Sequence, residues 1–102
     1  MNMQEIMRQA KRMQKRMEEA REQAGAKTVE GSAGGGMVVV TANGRSEIVS
    51  VKIEKDVVDP DEIEMLQDLV VAATNQAIQR ANEMMNEEIG KVTGGLPIPG
   101  MF

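Results

Sequence analysis

Four apolar residues in a row, Met37 to Val40, three of them β-branched, stand between two long segments of helical periodicity. The run is too short for a helix, and its residues favour the pleated conformation. Asn43-Gly44 follows at once. Both residues tolerate positive φ, so a two-residue type I′ turn is expected. Beyond it Val49, Val51 and Ile53 alternate with Ser50, Lys52 and Glu54, the period of a half-buried strand. A hairpin over 37–54 is therefore expected. In the two-residue-turn register Val39 opposes Ile48 and Val38 opposes Val49. Met37, Val39 and Ile48 then share one side of the sheet, with Val38, Val49, Val51 and Ile53 on the other. Helices on one side of such a sheet leave an apolar face that a second copy of the chain would cover.

The segment before the hairpin reads as a helix over 2–24. Met3, Ile6, Ala10, Met13, Met17, Ala20 and Ala24 fall on positions a and d of an unbroken heptad, a coiled-coil-like seam that calls for a partner helix. Gly25 is the expected stop. Away from the seam lie Arg8, Lys11, Arg12, Lys15 and Arg16, with no acidic residue between Met7 and Met17. Arg8/Arg12, Lys11/Lys15 and Arg12/Arg16 are like-charge pairs four apart, which cost helix stability. A merely solvated helix more often mixes the signs. Residues 26–31 read as a short strand and 31–36 as a flexible connector.

After the hairpin, Asp59-Pro60-Asp61-Glu62 carries every mark of a helix start: a capping Asp, a Pro at the first position, and acids beside the positive dipole end. A helix to about Glu88 or Ile89 is expected, ended by Gly90. Its apolar side includes Ile63, Leu66, Leu69, Val70, Ala73, Ala77 and Ala81. Residues 1–92 thus form one α+β domain. Residues 93–102, with Gly94-Gly95-Leu96-Pro97-Ile98-Pro99, form an extended tail whose apolar residues suit a groove or a partner.

Charge is polarised along the chain. Residues 1–27 hold seven Lys/Arg and four Asp/Glu, a net of +3; residues 57–102 hold two and eight, a net of −6. The basic helix face suits duplex phosphates. The competing readings are a solvated face, a membrane-surface helix or a dock for an acidic protein. The membrane reading is weakened by an apolar side without Trp, Phe or Leu. Base stacking on single strands is unavailable, because the one aromatic residue is Phe102. No apolar run approaches the roughly 18 residues of a membrane span, and no signal-peptide core is present.

Catalytic readings fail on chemistry. The chain has no histidine and no cysteine, so the commonest general base, metal ligand and nucleophile are missing. Ser32, Ser46 and Ser50 have no candidate base. Gly34-Gly35-Gly36 lacks the Lys-Ser/Thr step and following helix of a phosphate-binding loop. Asp59, Asp61, Glu62 and Glu64 are explained by capping without a metal. No enzyme, cofactor or small-molecule substrate is expected.

The order of elements, with Thr28-Val29-Glu30-Gly31-Ser32-Ala33-Gly34-Gly35-Gly36 ahead of the Val-rich strand and Gly94-Gly95-Leu96-Pro97 after the second helix, resembles the YbaB/EbfC family of bacterial nucleoid-associated DNA-binding proteins. The resemblance covers nearly the whole chain. It implies an α-β-β-β-α subunit with a three-stranded antiparallel sheet, a homodimer joined largely through the sheets, and helices that project like tweezers. It also implies cytoplasmic, nucleoid-located binding to double-stranded DNA with little sequence preference, and a role in nucleoid organisation or gene regulation. By element and charge, the DNA-binding surface maps onto Arg8, Lys11, Arg12, Lys15 and Arg16, with Asn82, Asn86 and Lys91 as weaker candidates. The dimer interface is expected to use Met37, Val39, Ile48, Met13 and Met17. The rival reading is a small protein-interaction module that docks through the Met seam and the Leu96–Phe102 tail.

Overall fold

The computed structural model describes residues 2–93, with the backbone alone at position 93; Thr93, expected to open the tail, is the last residue of α2, and the rest of the tail lies outside the described residues. The elements are α1 (Met3–Ala26), β1 (Thr28–Ala33), β2 (Val38–Asn43), β3 (Ile48–Ile53), a 3₁₀ turn (Lys55–Val57) and α2 (Ile63–Thr93). The sheet is antiparallel in the order β1-β2-β3. The α-β-β-β-α order expected from the sequence is the observed one.

Both helices pass through their expected stops. Asn2 caps α1 by accepting the Glu5 N–H at 2.8 Å, and the helix continues through Gly25 to Ala26. The Arg45 side chain lies over Gly25, placing a cation at the helix's negative end. Likewise α2 continues past Gly90. It begins at Ile63 rather than Pro60. Asp59 caps a turn instead, accepting the Asp61 N–H at 2.9 Å on its side chain and the Glu62 N–H at 2.9 Å on its carbonyl.

The strands differ from expectation in extent and register. Gly31-Ser32-Ala33 belongs to β1, not to a connector. The turn is Gly34–Met37, and its three glycines all have positive φ (65°, 66° and 93°), a conformation costly for any residue with a Cβ. The hairpin loop holds three residues, not two. The Ser46 N–H donates to the Asn43 carbonyl at 3.0 Å, and the Asn43 N–H donates to the Glu47 carbonyl at 3.0 Å. Asn43 Oδ1 also accepts from the N–H groups of Arg45 (2.9 Å) and Glu47 (3.2 Å). Ser46 takes the left-handed position, φ 63°, as in a type I turn with a following bulge. Val38 then opposes Ile53, Val40 opposes Val51 and Ala42 opposes Ile48, with a further irregularity between Thr41 and Ala42.

This register corrects the expected faces. Ile48 lies with Ala42, not with Val39, whereas Val51 and Ile53 keep their expected side, with Val38 and Val40. The opposite face holds Val39 among Thr28, Glu30, Ser32, Thr41, Ser50 and Lys52, so only one side of the sheet is apolar. On the apolar side α2 packs over β1 and β2. The core joins Val38, Val40 and Ala42 to Ala73, Ala77 and Ala81, with Val29, Leu66, Leu69 and Val70 around them. All six residues of β3 stay exposed.

The helix can lie this close because the contact is built from small residues. Gly31 sits beneath α2, where an added Cβ would be 2.2 Å from the Ala73 carbonyl oxygen and 2.4 Å from the Ala77 nitrogen. Gly44 makes a similar approach to the end of α1, its N–H donating to the Ala24 carbonyl at 2.9 Å. Side chains of α2 also reach the outer edge of β1. The Ser32 N–H donates to Gln76 Oε1 at 2.8 Å, and Arg80 donates to the Glu30 carbonyl at 2.7 Å. Filling outward-facing backbone groups in this way blunts one edge of the sheet. The β3 edge has no such cover among the described residues.

Candidate nucleic-acid interface

The two helices run antiparallel where they meet. Lys27, at the end of α1, reaches Glu88 of α2, and Arg16 shares a cleft with Lys91 and Val92. Ala20 and Ala24 are buried there and Met17 is half-buried, whereas residues 3–16 are exposed at every position. The described part of α2 ends near the level of Arg16, so the first 14 residues of α1 project as an arm about 21 Å long. The molecule measures 70 × 22 × 16 Å, with a radius of gyration of 19.0 Å. A compact domain of this length would have about 13 Å.

Arg8, Lys11, Arg12, Lys15 and Arg16 all lie on this arm and are all exposed. Glu5 is its one acid. None of the five cations enters an ion pair among the described residues. Helical geometry gathers them into one stripe about 12 Å long, centred about 160° around the axis from the apolar seam. The arm therefore has a cationic side and, opposite it, a side carrying Met3, Ile6 and Met13, which are 74%, 46% and 44% exposed. Five exposed cations without ion-pair partners among the described residues can meet phosphates without first breaking those contacts.

The weaker candidates are engaged elsewhere. Asn82 Oδ1 accepts from the Ser46 hydroxyl at 2.6 Å, and Asn86 lies beside the same hairpin loop. Lys91 donates to Glu88 at 3.3 Å. Glu88 is buried and takes a second bond, from Lys27, at 2.7 Å. The Lys27 and Lys91 hydrogen bonds, in that order, hold its carboxyl below the usual range and outweigh desolvation. Nothing in the sequence marked this pair, because residues 61 apart meet only once α1 and α2 are packed. A depressed carboxylate stabilises the fold above the unfolded value of about 4.3 and loses that effect as pH falls through the folded value. Glu88→Gln is expected to lower the melting temperature at pH 7. The gap to the unaltered protein should close below about pH 4, which thermal melts across pH 3–8 would show.

The described residues hold no cluster of Asp and Glu suited to a metal ion. No described helix is long and apolar enough to cross a membrane.

Residues 1–96 match the model of the YbaB/EbfC DNA-binding family. The chain belongs to this family. It is 58% identical to a nucleoid-associated protein of Geobacillus sp. (strain WCH70), covering 99% of this chain and 94% of the relative. It is 48% identical to a nucleoid-associated protein of Pelotomaculum thermopropionicum, covering 99% and 96%. A crystal structure of an uncharacterized protein from Helicobacter pylori superposes with a TM-score of 0.81 over 92% of this chain and 99% of that one; at 22% identity it supports the fold alone. As a YbaB/EbfC protein, the chain is a nucleoid-associated DNA-binding protein and not an enzyme.

Proposed function

We infer that this YbaB/EbfC protein acts as a homodimer in the bacterial cytoplasm, gripping duplex DNA through phosphate contacts from the α1 arms and so organising the nucleoid and the expression of nearby genes. The observation that carries this reading is the stripe of five exposed cations on the projecting arm, none of them in an ion pair among the described residues. Lys and Arg against phosphate supply affinity with little sequence information.

The dimer rests on what the subunit leaves uncovered. Its only large, fully buried side chains among the described residues are Val38 and Val40, while Ile48, Val49, Val51 and Ile53 are 42%, 58%, 46% and 39% exposed along an open sheet edge. A second copy that covers β3 would bury these residues. It would also remove an edge that otherwise invites non-specific pairing. Of the residues expected at the interface, Ile48 lies on this surface. Val39 faces the other side of the sheet, Met37 folds against Gly34 in the β1–β2 turn, and Met13 and Met17 belong to α1. The domain of this reading is 1–92, with 93–102 as its tail.

Two arms place ten cations on one duplex. If about half of them neutralise phosphates, log K should fall against log salt with a slope of roughly −4 to −5. Fluorescence anisotropy on a random-sequence duplex, titrated from about 50 to 300 mM salt, reads this slope. A slope near zero, or no binding at the lowest salt, would overturn the phosphate reading. Sedimentation equilibrium showing a monomer at micromolar concentration would overturn the dimer.

A further inference from the structure

The apolar side of the α1 arm has no cover among the described residues. Its seam is continuous with a contact already made. Ala20 is buried beside Glu88 and Lys91 of α2, Ala24 is buried beside Gly44 of the hairpin loop, and Ile89 of α2 is buried as well. Farther along, Met13, Ala10, Ile6 and Met3 carry the same heptad on into solvent. The two helices are antiparallel, so the described end of α2 lies beside Arg16 and points along the arm toward Met3.

The nine residues that follow are mostly apolar, and Pro97 and Pro99 disfavour helix. Residues 94–102 are Gly-Gly-Leu-Pro-Ile-Pro-Gly-Met-Phe. From Arg16 to Met3 the arm measures about 20 Å. Nine residues in a proline-favoured extended conformation reach about 28 Å. The tether also holds this segment beside the arm at an effective concentration on the order of millimolar, which a free partner rarely attains.

We propose that residues 94–102 fold back along α1 of their own chain and seat Leu96, Ile98 and the Met101-Phe102 pair on the seam formed by Met13, Ala10 and Ile6. The tail then continues the α1–α2 contact outward. It supports a helix that like-charge pairs destabilise, and it does so on the side facing away from the cationic stripe. The two surfaces of the arm therefore do not compete, and the docking stands whether or not the stripe binds DNA.

The chain has no cysteine, so Gly100→Cys gives a unique site for a nitroxide on the full-length protein. Amide spectra are recorded without DNA, against a diamagnetic label. Expected is selective broadening of α1 amides from Met3 to Met13, with more than half their intensity gone and β3 spared. In the same labelled chain, Leu96→Asp with Ile98→Asp should abolish it, with a thermal melt checking that the fold is retained. Deleting residues 94–102 should speed amide exchange over Ile6 to Met13 by about fivefold or more. Absence of selective broadening overturns the proposal, as does broadening that survives the Asp pair or falls on β3. A mixture of nitroxide-bearing unlabelled chains with isotope-labelled untagged ones separates the sources. In an equal mixture, broadening at about half strength, which statistical pairing gives, would assign the tail to a second copy and also overturn the proposal.

Discussion

Lys11→Glu combined with Lys15→Glu is expected to weaken duplex binding by about 10²–10³-fold at 0.1 M salt. With a log–log slope near −0.9 per neutralised phosphate, each one contributes nearly one decade of affinity between a 1 M reference and 0.1 M salt. The double variant removes four cations from a dimer; if about half of them neutralise phosphates, it binds close to two decades more weakly. The introduced carboxylates add repulsion to the same phosphates. Both residues are exposed and without ion-pair partners among the described residues, so folding should hold. Helix-surface pairs at these spacings are worth a few tenths of a kcal/mol each, which bounds the expected change in melting temperature to a few degrees. Anisotropy titrations beside a thermal melt and a sedimentation run would separate the effects. Unchanged affinity in the double variant would keep DNA as the partner but move its surface off α1. Should affinity and the dimer disappear together, Lys11→Gln with Lys15→Gln decides: a graded weakening, smaller than with Glu, is what direct phosphate contact requires.

The cationic stripe was legible in the sequence because it is a local property. Once residues 3–26 are helical, spacing alone puts Arg8, Lys11, Arg12, Lys15 and Arg16 on one side. The order of elements was legible for similar reasons, since capping residues, periodicity and β-branched runs act over a few positions. The hairpin register was not. Asn43-Gly44 favours a two-residue turn, yet Asn also suits the first position of a type I turn. Here its side chain captures two backbone N–H groups, of Arg45 and Glu47, which commits the loop to three residues. That change moved Ile48 to the side of the sheet that carries the core, while the irregularity between Thr41 and Ala42 keeps Val51 and Ile53 on that side, with Val38, as expected. The glycines misled in the opposite sense. Gly25 and Gly90 look like stops, but a glycine inside a helix costs only about 1 kcal/mol, and the packing of α1 against α2 exceeds that.

What no local pattern could reveal is which strands α2 would cover, and that turns on Gly31. Gly31→Ala is expected to destabilise the protein by about 3 kcal/mol or more, lowering the melting temperature by roughly 12–24 °C. The new methyl group would stand 2.2 Å and 2.4 Å from backbone atoms of Ala73 and Ala77. Backbone cannot rotate aside as a side chain can, so the whole helix must lift. The core beneath it is thin, made of Ala73, Ala77 and Ala81 against Val38, Val40 and Ala42, and lifting the helix opens gaps along all of these contacts at once. The Gln76 and Arg80 bonds to the β1 edge would lengthen with it. The matched control is Gly90→Ala on the same helix. A Cβ there meets nothing within 4 Å, and the backbone is already helical. The substitution should therefore stabilise, by up to about 1 kcal/mol. One chemical change with opposite signs at two glycines is a stringent demand, read by denaturant melts of both variants. A Gly31→Ala protein as stable as its parent would mean that α2 does not rest on β1 at this distance. The exposure of β3, and with it the surface assigned to the second copy, would then have to be redrawn.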